Sequence, residues 1–195
     1  MALVKILIQG YARPGADGSY IASSTTILIE DSGKKILVDP GCNKNLLLNA
    51  LKKENLKLKD IDIIFLTHYH PDHILNIRLF PSHDIYDGSI IYRDDKEIEF
   101  SKKIPGTNVE IIQTPGHAHE HTALLANTDK GKHAVAGDVF WWEDGQKQKT
   151  DHNLLIKLKD EFAKDKKVLQ KSREKVLKIA DYIIPGHGNV FKVKK

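Results

Sequence analysis

Thr67-His68-Tyr69-His70-Pro71-Asp72-His73 sets three imidazoles and a carboxylate within six residues, directly after the apolar run Ile61-Asp62-Ile63-Ile64-Phe65-Leu66. The run reads as a strand and the segment after it as a loop. Imidazole nitrogen and carboxylate oxygen are the donors zinc takes, at ~2.0–2.2 Å. Burying so many ionisable groups beside a strand without a cation would be costly. A tight loop can turn its side chains alternately, so His68 and His70 can face one metal while Asp72 and His73 face another. The plain alternative, a polar surface turn, does not explain four metal-type donors packed together.

Three more donors stand at strand ends farther along. His117 follows the strand ending at Gln113, in Thr114-Pro115-Gly116-His117. Asp138 follows the strand through Val135, in Ala136-Gly137-Asp138. His187 follows the strand ending at Ile184, in Pro185-Gly186-His187-Gly188. Each sits on a glycine-flanked turn, where the backbone can bend sharply or approach closely. Alone, each would pass for a loop histidine or a turn aspartate; beside the first motif they read as a shared site.

Around these turns the chain reads as many short strands with few helices. Leu3 to Ile8 and Thr25 to Glu30 are strands, and Lys35 to Val38 closes a hairpin across Asp31-Ser32-Gly33-Lys34. Asn43 to Leu56 has helical spacing at Leu46, Leu47, Ala50 and Leu51. Short strands follow from about Ile85 to Phe100, then Val109 to Gln113, Thr122 to Ala126 and His133 to Ala136. Leu154 to Ala180 is helical in pattern, as one helix or two, and Tyr182 to Ile184 is a last strand. Such an order gives a mixed α/β architecture with helices covering sheets.

Composition sets outer bounds. The 195 residues fit one domain, 1–195, with no internal repeat or dividing linker. No apolar run nears the ~20 residues that span a bilayer, so no membrane partner is expected. Cys42 is the one cysteine, which excludes an intrachain disulfide and makes a reducing, cytoplasmic setting the default expectation. The formal charge of +4 permits an anionic substrate without requiring one. The oligomeric state stays open, a homodimer included.

The set His68, His70, Asp72, His73, His117, Asp138 and His187 resembles the ligand pattern of the metallo-β-lactamase-fold hydrolases, H-x-H-x-D-H followed by H, D and H from later strands. Val38-Asp39-Pro40-Gly41 is similar to that family's early aspartate-bearing turn. The stretches His73 to Asn76, Leu79 to Pro81, Gly137 to Phe140 and Ser172-Arg173 through Gly188 are similar to the subgroup of metallo-β-lactamase domain-containing protein 1. The resemblance implies an αββα sandwich of two mixed β-sheets with outer helices, and a site at one edge. It implies that His68, His70 and His117 bind a first metal, that Asp72, His73 and His187 bind a second, and that Asp138 bridges them. Two zinc ions are implied, with iron or manganese as alternatives. A water shared by two such cations ionises near neutrality and can attack a carbonyl or phosphoryl centre, with Asp72 orienting the nucleophile or passing a proton.

Other residues are expected around this centre. Asp39 is either a support for the metal loops or a plain turn aspartate. Tyr69 and Phe140-Trp141-Trp142 are expected to line a substrate pocket, with core packing the competing reading of the aromatic cluster. His121 reads as packing or support, His119 as solvent-facing, and His83, His133 and His152 as surface. The substrate is a small molecule (a thioester, ester, amide, lactone or β-lactam) or RNA. A mononuclear-iron enzyme acting on sulfur compounds and a metal-stabilised binding module are the remaining classes.

Overall fold

The structure, a computed structural model, describes residues 1–194. In chain order its strands are β1 (Leu3–Ile8), β2 (Tyr11–Pro14), β3 (Tyr20–Ser23), β4 (Thr26–Asp31), β5 (Lys34–Val38), β6 (Ile63–Phe65), β7 (Ile85–Tyr86), β8 (Ile90–Arg93), β9 (Lys96–Glu99), β10 (Glu110–Gln113), β11 (Thr122–Thr128), β12 (Gly131–Trp141), β13 (Tyr182–His187) and β14 (Phe191–Lys192). The α-helices are α1 (Lys44–Lys53), α2 (Pro71–Ile74), α3 (His152–Ile156) and α4 (Lys166–Ile179). One sheet runs β1-β4-β5-β6-β7-β8-β9 and a second runs β10-β11-β12-β13-β14, with a β2–β3 hairpin apart.

The period of two along each strand explains the layering. Ile27, Ile29, Ile36, Val38, Ile63 and Phe65 of the first sheet meet Leu124, Ala126, Val135 and Ile184 of the second in one core. Their neighbours point outward. Leu28, Leu37 and Ile64 pack under Leu47 and Leu51 of α1, while Leu125, Ala134, Ala136 and Ile183 pack under Leu169, Val176 and Leu177 of α4. The result is helix, sheet, sheet, helix, the sandwich the resemblance implies. Both sheets are mixed: β5, β6 and β7 run parallel in the first, and β12 and β13 in the second, among otherwise antiparallel pairs. Full burial of a leucine such as Leu47 contributes about 1.5–3 kcal/mol, so the outer helices are held mainly by these stripes.

Sheet direction places the site. β10 and β12 are both antiparallel to β11, and β13 is parallel to β12. The C-terminal ends of β10, β12 and β13 therefore meet at one edge. The start of β4 and the loop after β6 reach the same edge, because Thr25 N donates to Gly186 O (2.7 Å) and Thr122 N to Thr67 O (2.9 Å) across the two sheets, and Asp39, just after β5, is tied to the end of β6 by Asp39 N donating to Phe65 O (2.9 Å).

Of the two readings of Leu154 to Ala180, the structure takes the two-helix one: α3 and α4 are separated by a loop at 157–165. Asp165 begins α4 by accepting from Lys167 N (2.9 Å) and Val168 N (3.0 Å), which satisfies amides at the helix start. Strand β12 does not stop at Ala136 but continues through Trp141, with register shifts around Gly137. The β2–β3 hairpin carried no clear alternation and was not expected from sequence.

Candidate metal centre

Both halves of the first motif use local backbone geometry. His68 lies in the extended segment after β6, His70 is the residue before α2 with Pro71 at the first helical position, and Asp72 and His73 lie in that short helix. Proline there has no amide to lose and a φ suited to a helix start. Thus the turn from extended chain to helix sends His68 and His70 to one group and Asp72 and His73 to another. His68, His70, His117 and Asp138 offer donor atoms within 4.8 Å of one another, and Asp72, His73 and His187 do the same.

Asp138 stands between the groups. Its Oδ2 is 3.4 Å from His117 Nε2 and 3.8 Å from His68 Nε2. Its Oδ1 is 3.3 Å from His73 Nε2 and 3.8 Å from His187 Nε2. His70 joins the first group through Nδ1, 3.0 Å from His117 Nε2. In the second, Asp72 Oδ2 is 3.1 Å from His187 Nε2 and 3.7 Å from His73 Nε2. Gly186 makes this approach feasible: a Cβ there would stand 1.8 Å from Asp138 Oδ1.

Buried polar atoms normally have hydrogen-bond partners. Here His68 Nε2, His73 Nε2 and Asp138 Oδ1 are buried without one, and all three face the centre of the cluster. Behind the cluster the other ring nitrogens are held: His68 Nδ1 lies 3.1 Å from Thr67 Oγ1, His73 Nδ1 donates to Asp39 Oδ2 (2.8 Å), His117 Nδ1 to Asp160 Oδ2 (2.8 Å), and His187 Nδ1 to Tyr11 O (3.1 Å). Imidazoles pinned from behind, with the free nitrogen aimed inward, fit divalent cations.

The charges agree. Burial would push the Asp138 carboxyl up, but His73, His187 and His117 outweigh it and hold the group well below the usual range. Burial likewise opposes a charged His73, yet Asp138 and Asp39 raise it well above the ordinary histidine value. His117 is raised too, burial being outweighed by Asp160 and Asp138. His68 and His70 are lowered, first by burial and then by neighbouring histidines.

Asp39 is a support rather than a plain turn residue. It adopts φ 47° at the end of β5, is 1% exposed, and accepts from Thr67 N (2.8 Å) and Thr67 Oγ1 (2.7 Å) besides His73. His121 is buried between Thr114 Oγ1 (2.9 Å) and Asp138 N, from which its Nε2 accepts (3.2 Å). Burial, then His117, pushes it down to about 3, so it is a neutral prop for the Asp138 backbone. His119 and His152 are exposed. His83 is not a plain surface residue, since it is half-buried with Nε2 donating to Ile61 O (3.0 Å), and His133 stacks on Tyr182 at 4.7 Å.

A cleft of about 430 Å³ opens over the centre, bounded below by His70, Asp72, His117, Asp138 and His187. Its walls are mainly apolar: Ala12, Ala22, Leu75, Trp141 and Phe162, with Tyr20 and Cys42. Among the described residues, no lysine or arginine lines it.

Of the four aromatic residues expected here, Trp141 alone lines the cleft. Phe140 and Trp142 belong to the core under α4, because the register shift between Gly137 and Trp141 lets Asp138 and Trp141 face the site while the residues flanking Trp141 turn inward. Tyr69 points the opposite way from its neighbours His68 and His70, as adjacent residues of extended chain do. Its hydroxyl donates to Asp87 and lies 3.2 Å from the Tyr92 hydroxyl, tying the loop to the β7–β8 turn. Asp160, Phe162 and Tyr20 were not singled out in the sequence. They lie far from every motif, and only the meeting of loops brings them in.

The profile of the metallo-beta-lactamase superfamily matches residues 21–91. Metallo-beta-lactamase domain-containing protein 1 of Xenopus laevis is 30% identical over 203 residues, covering 98% of this chain and 82% of that protein. The chain belongs to the metallo-beta-lactamase superfamily. It is a metallo-hydrolase by that membership. A Methanocaldococcus jannaschii protein named as a metallo-hydrolase is 28% identical, covering 82% of this chain and 74% of its own length.

Among solved structures, a Thermotoga maritima protein described as a metallo-beta-lactamase superposes with TM-score 0.74 at 20% identity, covering 98% of this chain and 99% of that one. A dizinc quorum-quenching lactonase gives 0.61 at 18% identity, covering 88% and 74%. A chemotaxis sensor with a peroxy diiron species gives 0.66 at 18% identity, covering 98% and 85%. At such identities these likenesses carry the fold alone, and they span both zinc and iron.

Proposed function

We propose that the chain is a dinuclear zinc hydrolase of small carboxylic derivatives, namely esters, thioesters or lactones whose acyl part is apolar. The observation that carries this reading is Asp138, whose two oxygens face two separate imidazole groups beneath an apolar cleft. His68, His70 and His117 would hold one ion, Asp72, His73 and His187 the other, and Asp138 both. Bound there, two zinc ions supply Lewis acidity and a water ionised near neutral pH.

The chain's own residues do the rest. Trp141 and Phe162, with ring centres 5.6 Å apart, receive the acyl part and exclude water. Asp72 lines the cleft and stays ionised: burial opposes this, but His187 and His73 lower its pKa. Ionised and facing the cleft, it is placed to orient the attacking water by accepting its hydrogen bond. Tyr20 lines the mouth, its hydroxyl donating to Glu143 (2.8 Å).

A phosphodiester in RNA is the second reading, favoured by the net charge of +4. Nucleic-acid grooves carry cations along the backbone path, and the cleft lining has none among the described residues. Zinc-reconstituted protein should be assayed on esters, thioesters and lactones of increasing acyl length and on RNA. We expect kcat/KM to rise with acyl length and to change little with salt. RNA cleavage falling steeply with salt, with no acyl hydrolysis, would overturn the proposal. Elemental analysis should find close to two zinc per chain; iron alone near one per chain would also overturn it.

A further inference from the structure

The 157–165 loop between α3 and α4 meets both the centre and the cleft, and one carboxylate of it faces the two. Asp160 is buried, with its side chain 1% exposed. Its Oδ2 accepts from His117 Nδ1 at 2.8 Å. Its Oδ1 accepts from Phe162 N (3.0 Å) and Ala163 N (3.1 Å). These two bonds make the turn that presents Phe162, half in solvent at 53% exposure, against Trp141 at the cleft wall. The loop also clasps the backbone on either side of the imidazole: Lys164 N donates to His117 O (3.2 Å) and Asp165 N to Gly116 O (2.9 Å). Gly116 in turn lies flat against α4, where a Cβ would stand 2.3 Å from Leu169 N.

We propose that Asp160 is a positioning residue that couples the hold of His117 on its metal to the placement of Phe162, so that metal occupancy sets the shape of the apolar wall. The inference rests on the reading of His117 as a metal ligand given above. A carboxylate behind a ligating imidazole fixes its ring and tautomer. A fixed ring fixes the carboxylate in return, and here the second oxygen of that carboxylate orders the loop. Thermodynamic linkage makes the coupling reciprocal: whatever orders the loop tightens metal binding by the same factor.

The test needs no substrate, so its outcome is independent of whether acyl hydrolysis proves to be the activity. Amide hydrogen exchange at 160–165 is compared in zinc-free and zinc-loaded parent. Zinc should slow exchange at Phe162 and Ala163 in the parent and much less in Asp160→Asn. Competition with a chelator should show that Asp160→Asn binds zinc about 10–100-fold more weakly, the usual cost of losing such a partner. Unchanged exchange at Phe162 and Ala163 on zinc loading of the parent would overturn the coupling, even if Asp160→Asn failed to fold. Parental zinc affinity in a folded Asp160→Asn would overturn it as well.

Discussion

The two halves of the metal centre are braced in different ways. In the second half, His73 leans on Asp39 and His187 on the Tyr11 carbonyl. Asp39 directly follows the central strand β5 and is locked by two further bonds to Thr67. In the first half, His117 leans on Asp160, which sits on a loop whose next aromatic residue is half exposed. The same imidazole–carboxylate device is thus mounted once on the sheet and once on a loop. Regular structure gives one mounting few alternative positions; the other can respond to what fills the cleft. The proposed second-ion site is thus braced from the sheet edge, and the proposed first-ion site partly from a loop, through His117, and partly from the same edge, through His68 Nδ1, 3.1 Å from Thr67 Oγ1.

Substitution at Asp138 removes the comparison altogether. Asp138→Ala deletes the carboxylate that faces both halves and leaves two cations with less negative charge between them. Loss of the second metal and of most activity is expected, with the fold retained because the sandwich core does not involve this side chain. Metal stoichiometry, turnover and circular dichroism check it; two retained metals with near-parental turnover would show that the halves are independent.

Asp39→Asn sharpens the contrast. Asparagine tolerates the positive φ at this position, so the backbone need not move. The His73 brace loses its charge, and the metal of that half should weaken by about 10–100-fold. Because Asp39 also serves Thr67, the zinc-free fold should lose about 1–3 kcal/mol, read by denaturant unfolding. A variant that loses metal without losing stability would mean that Asp39 does not brace the sheet edge.

The smallest expected effect concerns protons. In the zinc-free protein, burial opposes the charged forms of His73 and His117, but carboxylates raise both. A raised histidine contributes stability that is fully present below its unfolded pKa and is lost as pH rises through the folded value. The zinc-free protein should therefore lose stability toward alkaline pH from these two groups. Zinc must displace their protons, so zinc uptake should release protons near neutrality and weaken as pH falls. Calorimetry in buffers of different ionisation enthalpy measures this. In Asp39→Asn the release assigned to His73 should shrink while that of His117 persists; equal shrinkage of both would contradict separate bracing.

Much of the centre could be read in the primary structure, because its ligands are announced by local grammar. His68, His70, Asp72 and His73 lie on one turn, and His117, Asp138 and His187 each come just after an apolar run, although the structure continues the last two runs so that Asp138 lies within β12 and His187 ends β13. The alternation of Ile27-Leu28-Ile29 and Ile36-Leu37-Val38 likewise encodes two buried faces per sheet, which is enough for a helix-covered sandwich. Such patterns are local, and spacing of two or 3.6 residues carries them.

Three features needed the assembled fold. The bulge after Gly137 shifts register only when β12 pairs with β13, and that shift separates Trp141 in the cleft from Phe140 and Trp142 in the core. Tyr69, between two ligands in the chain, is directed to Asp87 by the pairing of β7 with β8. Asp160 stands 43 positions from His117 in a stretch whose apolar spacing reads as helix, and its role exists only because α4 packs on Gly116. The candidate donor set is a matter of residue type and local turn, so it was legible in the sequence alone. The bracing and walls of the site depend on which distant loops the sheets bring together, and no local pattern records that.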